Sequence, residues 1–259
     1  LRSEKLGSVC QMIPVNLPES VRSNPKRRSE CAVYDSLYEN LKDEKFHIFY
    51  SKEWLNHQFD DIEQEDGECD FIVAHPEFGL LFIEVKGGQI RREASSGRWY
   101  SGEHKIKNPV AQALTSKHFV RQALRKRWGD GMPFIKMVHC VLLPNSSNRA
   151  SYLGEGLPVE IFGFMEDMGE ALVRKIYEFY DFETANDSRI CGKLGNVGIN
   201  HLKEMFAKDL DFTPRLRNRI SDQSYLIEKK TVEQQKLINT LKNTKNALVE
   251  GPAGSGKTM

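Results

Sequence analysis

Residues 67–88 constrain the fold of this chain more than any other segment. They read Gly-Glu-Cys-Asp-Phe-Ile-Val-Ala-His-Pro-Glu-Phe-Gly-Leu-Leu-Phe-Ile-Glu-Val-Lys-Gly-Gly. Two apolar runs flank a short stretch that contains Pro and Gly, so the segment predicts a β-hairpin with a tight turn. With the turn centred on Glu77, Asp70 is predicted to lie opposite Glu84, and Phe71 opposite Ile83.

The predicted hairpin brings charged side chains together on one face. Side chains alternate along a strand, so Asp70, Glu84 and Lys86 share a face, and the other face is apolar, with Phe71, Val73, Leu81, Ile83 and Val85. Opposed carboxylates repel, and burying them uncompensated costs on the order of a few kcal/mol. A divalent cation removes that cost and suits phosphodiester hydrolysis. A charged strand end at the surface is the alternative, and at this point it stays open.

Composition excludes several classes of protein. The chain has 259 residues, 39% hydrophobic and 28% charged, with a net charge of +1. No global basic field indicates nucleic acid, so a DNA-binding argument needs local patches. The five cysteines lack metal-site spacing, which favours a reducing compartment, and we expect a cytoplasmic protein. No apolar run approaches the ~18 residues that span a bilayer, so no membrane partner is expected.

Residues 251–258, Gly-Pro-Ala-Gly-Ser-Gly-Lys-Thr, form a complete phosphate-binding loop. The apolar strand predicted at residues 247–249 provides the context that this motif requires. Backbone N–H groups of the loop would hold the phosphates of ATP, Lys257 would reach the β and γ phosphates, and Thr258 would bind Mg²⁺. Gln234 resembles the residue with which superfamily 1 helicases read adenine. The predicted nucleotide-binding residues are Gln234, Gly251, Gly254, Ser255, Gly256, Lys257 and Thr258.

Two predicted helices add candidate residues. A helix over residues 29–42, with Ser29 as its N-cap, carries Glu30 on its apolar stripe, and we favour Glu30 as a metal ligand or water-orienting group over a partner of the helix dipole. Asn108 caps a helix that begins at Pro109 and places Gln112 toward the sheet. Its basic row could contact phosphates, although a solvated face is the commoner explanation. That row is Lys117, Arg121 and Arg125.

These features together resemble the PD-(D/E)xK nuclease superfamily and, more narrowly, its nuclease-related domain, NERD. The resemblance rests on Glu30, on Asp70 and the motif Glu84-Val85-Lys86-Gly87-Gly88, and on Gln112. It implies that Asp70, Glu84 and the Val85 carbonyl bind Mg²⁺ or Mn²⁺ and that Lys86 positions the attacking water. Glu30 and Gln112 would complete the catalytic set. RecB-like nucleases carry Tyr where this chain has Ser116, so the role of Gln112 is the least secure.

The resemblance also implies an organisation and a fold. NERD domains are often fused ahead of superfamily 1 type helicases, which agrees with a chain that ends at Met259, within the start of a motor. We expect a restriction-endonuclease-like α/β sandwich with a mixed central sheet, followed by the truncated start of a P-loop NTPase. The expected segments are a lead-in (1–25), the nuclease domain (26–182), a helical connector (183–228) and the beginning of the ATPase (229–259).

Three functions compete at this point. The first is a metal-dependent DNA nuclease or nickase, tethered to an ATP-driven helicase and acting in DNA repair or defence against phage. The second is a catalytically silent module that binds DNA or a partner and loads the helicase. The third is a regulator of the ATPase. The sequence leaves open whether the DNA is single- or double-stranded and whether the chain forms oligomers.

Overall fold

The computed structural model covers most of the first 207 residues. The described residues are 10–43, 45–54, 67–147, 156–186 and 192–207, with the single positions 153, 236, 239 and 242. Contacts divide the chain into two units, residues 1–208 and residues 209–259. Every helix and strand given below lies in the first unit.

The secondary structure alternates between strands and helices along the first unit. The strands are β1 (Gln11–Ile13), β2 (His47–Trp54), β3 (Gly67–His75), β4 (Gly79–Val85), β5 (Ile90–Arg92), β6 (Trp99–Ser101), β7 (His104–Ile106), β8 (Met137–Leu142) and β9 (Phe162–Gly163). The helices are α1 (Glu19–Arg22), α2 (Arg28–Asn40), α3 (Pro109–Trp128), α4 (Ala171–Asn186) and α5 (Gly195–Phe206).

Six of the strands form one mixed sheet, in the order β1-β2-β3-β4-β8-β9. Strands β2, β3 and β4 are antiparallel, whereas β1 runs parallel to β2, and β8 and β9 continue the sheet parallel to β4. The predicted hairpin is therefore the centre of the sheet. Its predicted register is confirmed, because Phe71 pairs with Ile83. The predicted α/β class with a mixed sheet is confirmed as well.

Helices cover both faces of this sheet, which makes it a sandwich. One apolar cluster joins the alternate hairpin residues Phe71, Val73, Leu81 and Ile83 to side chains of α2 and α4, including Leu37 and Ile176. The other joins the intervening residues Ile72, Ala74, Leu80 and Phe82 to side chains of α3 and α5, including Val120 and Leu202. A strand that is buried on both faces explains why the hairpin is so apolar.

The remaining strands β5, β6 and β7 form a small antiparallel sheet that directly follows the hairpin. Trp99 is buried within it and packs with Phe162 and Phe164 in a third apolar cluster.

One local prediction was wrong. Ser29 is not the N-cap of α2, because Asn24 already begins a 3₁₀ turn over Pro25–Arg27 that leads straight into the helix. The Ser29 hydroxyl instead donates to Asn145 Oδ1 at 2.9 Å. Helix α3 begins as predicted, with Asn108 accepting from the N–H groups of Val110 and Ala111.

Candidate active site

The open end of the hairpin, away from its turn, holds the predicted carboxylate pair. Extending the register of β3 and β4 by one residue sets Asp70 across from Glu84. Both side chains are buried, with Asp70 8% exposed and Glu84 2% exposed. The pair is therefore held between layers of apolar side chains and not at a solvated strand end.

Asp70 is held by a backbone hydrogen bond and perturbed by burial and by neighbouring acids. Its Oδ2 accepts a hydrogen bond of 2.7 Å from the Val85 N–H, which ties β3 to the end of β4. Burial, followed by the charges of Glu84 and Glu30, raises the pKa of Asp70 well above its ordinary value. The hydrogen bond from Val85 and the charge of Lys86 act in the opposite direction and are outweighed.

Lys86 is the cation of the cluster. Its ammonium donates to Glu84 Oε1. Burial alone would lower the pKa of Lys86, but the charges of Glu84 and Asp70 outweigh it and raise this pKa. Burial also raises the pKa of Glu84, and Lys86 opposes that shift. At neutral pH the lysine thus carries its charge, and one positive group faces two buried acids.

Glu30 reaches this cluster from the first turn of α2. Its Oε2 accepts from the Tyr50 hydroxyl at 2.7 Å and from Arg27 Nη1 at 3.3 Å. Burial raises the pKa of Glu30, and its charge acts on both Asp70 and Glu84. The structure therefore brings together Glu30, Asp70, Glu84 and Lys86, four of the five residues that were predicted to be catalytic.

A second ionic network, centred on Arg27, adjoins the first and escaped the sequence analysis. Arg27 Nη2 donates to Glu68 Oε1 at 3.0 Å, and its Nη1 donates to the Ser51 hydroxyl at 2.8 Å and the Tyr50 oxygen at 3.2 Å. Ser51, at a φ of 47°, in turn donates to Glu68 at 2.6 Å.

Two members of the Arg27 network come from charged runs, which are usually solvated. Arg27 lies in the basic run Lys26-Arg27-Arg28, and Glu68 lies in a run of seven acids between Asp60 and Asp70. The one available signal was that Glu68 precedes Asp70 by two residues in the same strand, at the next position with the same alternation.

Gln112 is placed in the first turn of α3, and its amide oxygen has an unused hydrogen-bonding capacity. The Oε1 atom is buried and accepts no hydrogen bond from the described residues. Four residues on, the Ser116 hydroxyl donates to the Gln112 carbonyl at 3.0 Å and is fully buried. The Ser116 hydroxyl therefore has its hydrogen-bond partner within α3. The role of Gln112 stays a prediction.

The basic row of α3 is split by burial. Lys117 is 7% exposed, and its Nζ lies 3.3 Å from His139 Nδ1 and 3.4 Å from Glu183 Oε1. Arg125 is exposed and Arg121 is half-buried. The idea of one exposed phosphate-contacting row through all three residues is therefore wrong for Lys117. For Arg121 and Arg125 a phosphate contact stays a prediction.

The donor atoms suit a hard divalent cation. Within the described residues, no group of three or more His, Cys, Asp or Glu side chains is arranged to hold a metal. Asp70 and Glu84 provide two carboxylates, and Mg²⁺ is commonly bound by one or two carboxylates with several waters and substrate phosphates. One ammonium serves two buried acids, and a bound cation would compensate the negative charge that remains. The Val85 carbonyl stays a predicted ligand.

Comparison with known families identifies this region. Residues 26–143 match the nuclease-related domain, NERD. The NERD match contains Glu30, Asp70, Glu84, Lys86 and Gln112, and it supports a nuclease-related function and DNA as the partner. No curated protein and no solved structure matches the chain. The NERD prediction is confirmed, whereas the fused helicase stays a prediction.

The predicted nucleotide-binding residues lie outside the described residues. These are Gln234, Gly251, Gly254, Ser255, Gly256, Lys257 and Thr258. The predicted segment boundaries likewise stay predictions. None of the helices in the described part of the chain is both long enough and apolar enough to span a membrane.

Proposed function

We propose that the NERD domain is a metal-dependent DNA nuclease or nickase whose centre is Asp70, Glu84 and Lys86. The observation that carries this proposal is the burial of two opposed carboxylates beside a single ammonium, which donates to Glu84. Such an arrangement is unfavourable for stability alone, because each buried charge needs compensation. Perturbed acids of this kind concentrate at functional sites.

Asp70 and Glu84 would hold the cation. A bound Mg²⁺ or Mn²⁺ would lower the pKa of a water molecule and stabilise negative charge on the phosphate. The hydrogen bond from Val85 N–H fixes one oxygen of Asp70, Oδ2. The apolar layers around the pair exclude bulk water, which strengthens every electrostatic interaction there.

Lys86 would act as a cation. The charges of Glu84 and Asp70 outweigh burial and raise the pKa of Lys86 in the metal-free protein, so it is protonated there at neutral pH. It would hold that water or a phosphate oxygen by donating a hydrogen bond and would stabilise the charge that develops on phosphorus. Glu30, linked to Tyr50 and Arg27, would extend the acidic side of the site.

Plasmid cleavage tests this proposal directly. The chain is incubated with supercoiled plasmid and with single-stranded DNA in Mn²⁺, Mg²⁺ or EDTA, beside Lys86→Ala. We expect nicking that needs metal and falls by about 10²-fold or more in the variant, because a charge-stabilising donor contributes that much. The matched control is Lys45→Ala, an exposed lysine beside Glu77 at the turn end of the hairpin. Full metal-dependent cleavage by Lys86→Ala would contradict the proposal.

One observation favours the second candidate, a silent module that binds DNA or a partner. Lys86 already pairs with Glu84, and Asp70 already accepts from Val85, so the cluster has internal partners. In that case Asp70→Asn would leave DNA binding unchanged, and neither the unaltered chain nor the variant would cleave DNA. Binding without cleavage in any metal, by folded protein, would favour this candidate over the nuclease.

The P-loop motif supports a wider proposal, an ATP-dependent motor joined to the nuclease. Gly251–Thr258 would hold the phosphates and Gln234 the adenine of ATP. Binding of a fluorescent ATP analogue that is lost in Lys257→Ala would support it, and binding that is unaffected by this change would contradict it. Roles in DNA repair or phage defence and a cytoplasmic location belong to the same proposal.

A further inference from the structure

A basic sheet surface lies just beyond the candidate site and has no part in the chemistry described so far. We call the sheet of β5, β6 and β7 the basic wing. Its register pairs Arg91 with Tyr100 and Tyr100 with Lys105. These three side chains are therefore neighbours across three strands on one face, with the tyrosine between two cations.

The contacts of the wing show which face is free for a ligand. The face that holds Ile90, Trp99 and Ile106 packs into the apolar cluster around Phe162. The opposite face holds Arg91 and Lys105, which are both exposed, and Tyr100, which is half-buried. The Arg91 guanidinium lies over the Tyr100 ring, 4.2 Å from its centroid. Cation and aromatic ring thus form a preassembled flat surface.

The wing is firmly attached to the strand that ends at the candidate site. The Ser101 hydroxyl donates to the Gly87 carbonyl at 2.9 Å, and Asn145 Oδ1 accepts from the Gly88 N–H at 3.2 Å. Gly87 passes so close to α2 that a Cβ there would lie 2.2 Å from Ser29 Oγ. Because Gly87 directly follows Lys86, the position of the wing relative to the site is fixed.

The charge of the wing differs from that of the whole chain. Residues 87–108 contain five Arg or Lys residues and two Glu, a net charge of +3, whereas the chain of 259 residues carries only +1. A local basic patch beside a cluster of acids is the distribution expected where a polyanion is guided past a metal site. An aromatic ring between cations adds base stacking to phosphate contacts, the combination that binds single strands.

We propose that the face formed by Arg91, Tyr100 and Lys105 binds a single-stranded nucleic acid segment next to the cleavage site. Arg91 and Lys105 contact phosphates, and a base stacks on the guanidinium or the Tyr100 ring. This inference rests on the proposed nuclease function for its biological use, but binding itself needs neither metal nor cleavage. It names the substrate surface, which lies outside the Asp70–Glu84–Lys86 cluster.

The test measures binding in the absence of catalysis. Fluorescence anisotropy with a labelled single-stranded DNA, a single-stranded RNA and a DNA duplex of equal length is recorded in EDTA over a range of salt concentrations. The proteins are the full chain and its Arg91→Gln/Lys105→Gln, Tyr100→Leu and Tyr100→Phe variants. The control Lys45→Gln/Arg174→Gln removes the same charge from exposed residues elsewhere. Thermal melting confirms that each variant is folded.

We expect the double wing variant to bind single-stranded DNA about tenfold more weakly and to lower the slope of log Kd against log salt by about 1.4, because each phosphate contact to a single strand contributes about 0.7. Tyr100→Leu weakens binding about tenfold and Tyr100→Phe less than twofold, since stacking needs the ring and not the hydroxyl. The control stays within twofold of the unaltered chain. Comparing single-stranded RNA with single-stranded DNA shows whether the surface distinguishes ribose from deoxyribose.

Equal loss in the control and in the wing variant would overturn the proposal, since the wing would then be an ordinary solvated basic face. Preference for the duplex, with no effect of Tyr100→Leu, would overturn the single-stranded assignment. The outcome is independent of the proposed function. Loss of metal-dependent cleavage in Lys86→Ala tests the centre, whereas loss of binding in EDTA by the wing variant tests the wing, so either proposal can fail without the other.

Discussion

Two acidic pairs lie side by side in this protein, and each has one cation. Glu30 and Glu68 both form ion pairs with Arg27, whereas Lys86 pairs with Glu84 and acts on Asp70 through its charge. Arg27 bonds to both acids of its pair and also to Tyr50 and Ser51. Lys86 donates to Glu84, while Asp70 receives its hydrogen bond from a backbone N–H.

The difference between the pairs is one of cation geometry and burial. A guanidinium is a rigid fork that can serve two carboxylates at once, whereas an ammonium is a point charge. Glu68 is also partly solvated, with 36% of its side chain exposed. Both acids of the Arg27 pair are therefore hydrogen-bonded to their cation. In the Lys86 pair only Glu84 is bonded to the cation, and burial together with the charge of Glu84 raises the pKa of Asp70 well above its ordinary value.

The largest expected effect separates the two pairs by activity. Asp70→Asn should reduce metal-dependent nicking by about 10²-fold or more, because losing a ligand forfeits several kcal/mol of charge stabilisation. Glu68→Gln should reduce it by less than about tenfold, since Glu68 acts on the site only through its charge. Plasmid cleavage rates under single-turnover conditions measure both. Equal losses would mean that the pairs form one functional unit.

The Arg27 pair should dominate stability. Arg27→Gln leaves Glu30 and Glu68 without their cation and should lower the free energy of unfolding by about 2 kcal/mol. This is less than for a fully buried ion pair, because the network is partly solvated. The matched change is Arg22→Gln, whose bridge to Asp35 is exposed and should contribute about 0–1 kcal/mol. Urea unfolding measures the two. An Arg27 effect no larger than that of Arg22 would show that the network is not structural.

In metal-free protein, removing a charge from the Lys86 pair should raise the free energy of unfolding, whereas Arg27→Gln should lower it. Asp70 keeps its proton to a higher pH when folded than when unfolded, so its contribution to stability is present at low pH and lost as pH rises through the raised pKa. Asn does not titrate, so in EDTA at pH 7.5 Asp70→Asn should be more stable, by about 1 kcal/mol. The gain should shrink toward pH 4. If Asp70→Asn were instead less stable at pH 7.5, burial of the Asp70 charge would not be a cost to the folded protein.

The smallest effect concerns the link between Tyr50 and Glu30. Tyr50→Phe removes one hydroxyl that donates to Glu30, while Arg27 still contacts that acid. The expected loss is about 1 kcal/mol of stability, and about threefold or less in cleavage rate. Thermal denaturation and the nicking assay measure these values. A loss of cleavage as large as that in Asp70→Asn would move Tyr50 into the catalytic set.

Local patterns predicted the parts of the site that lie on one strand or one helix turn. The Pro-Gly turn and the two apolar runs gave the hairpin and its register, and these place Asp70 near Glu84 and Lys86. Asn108 and Pro109 predicted the start of α3 because capping is a property of neighbouring residues. The Arg27 network joins three distant segments, and no local pattern connects them.

The sequence by itself determined the hairpin, the acidic pair with its lysine, and the resemblance to NERD, because alternation and turn chemistry act over a few residues. Only the tertiary structure decided which charges are buried. It took Lys117 out of an exposed row and placed Arg27 between Glu30 and Glu68. It also turned Arg91 and Lys105 to a free face. Burial depends on which elements pack together, and that is a long-range property of the fold.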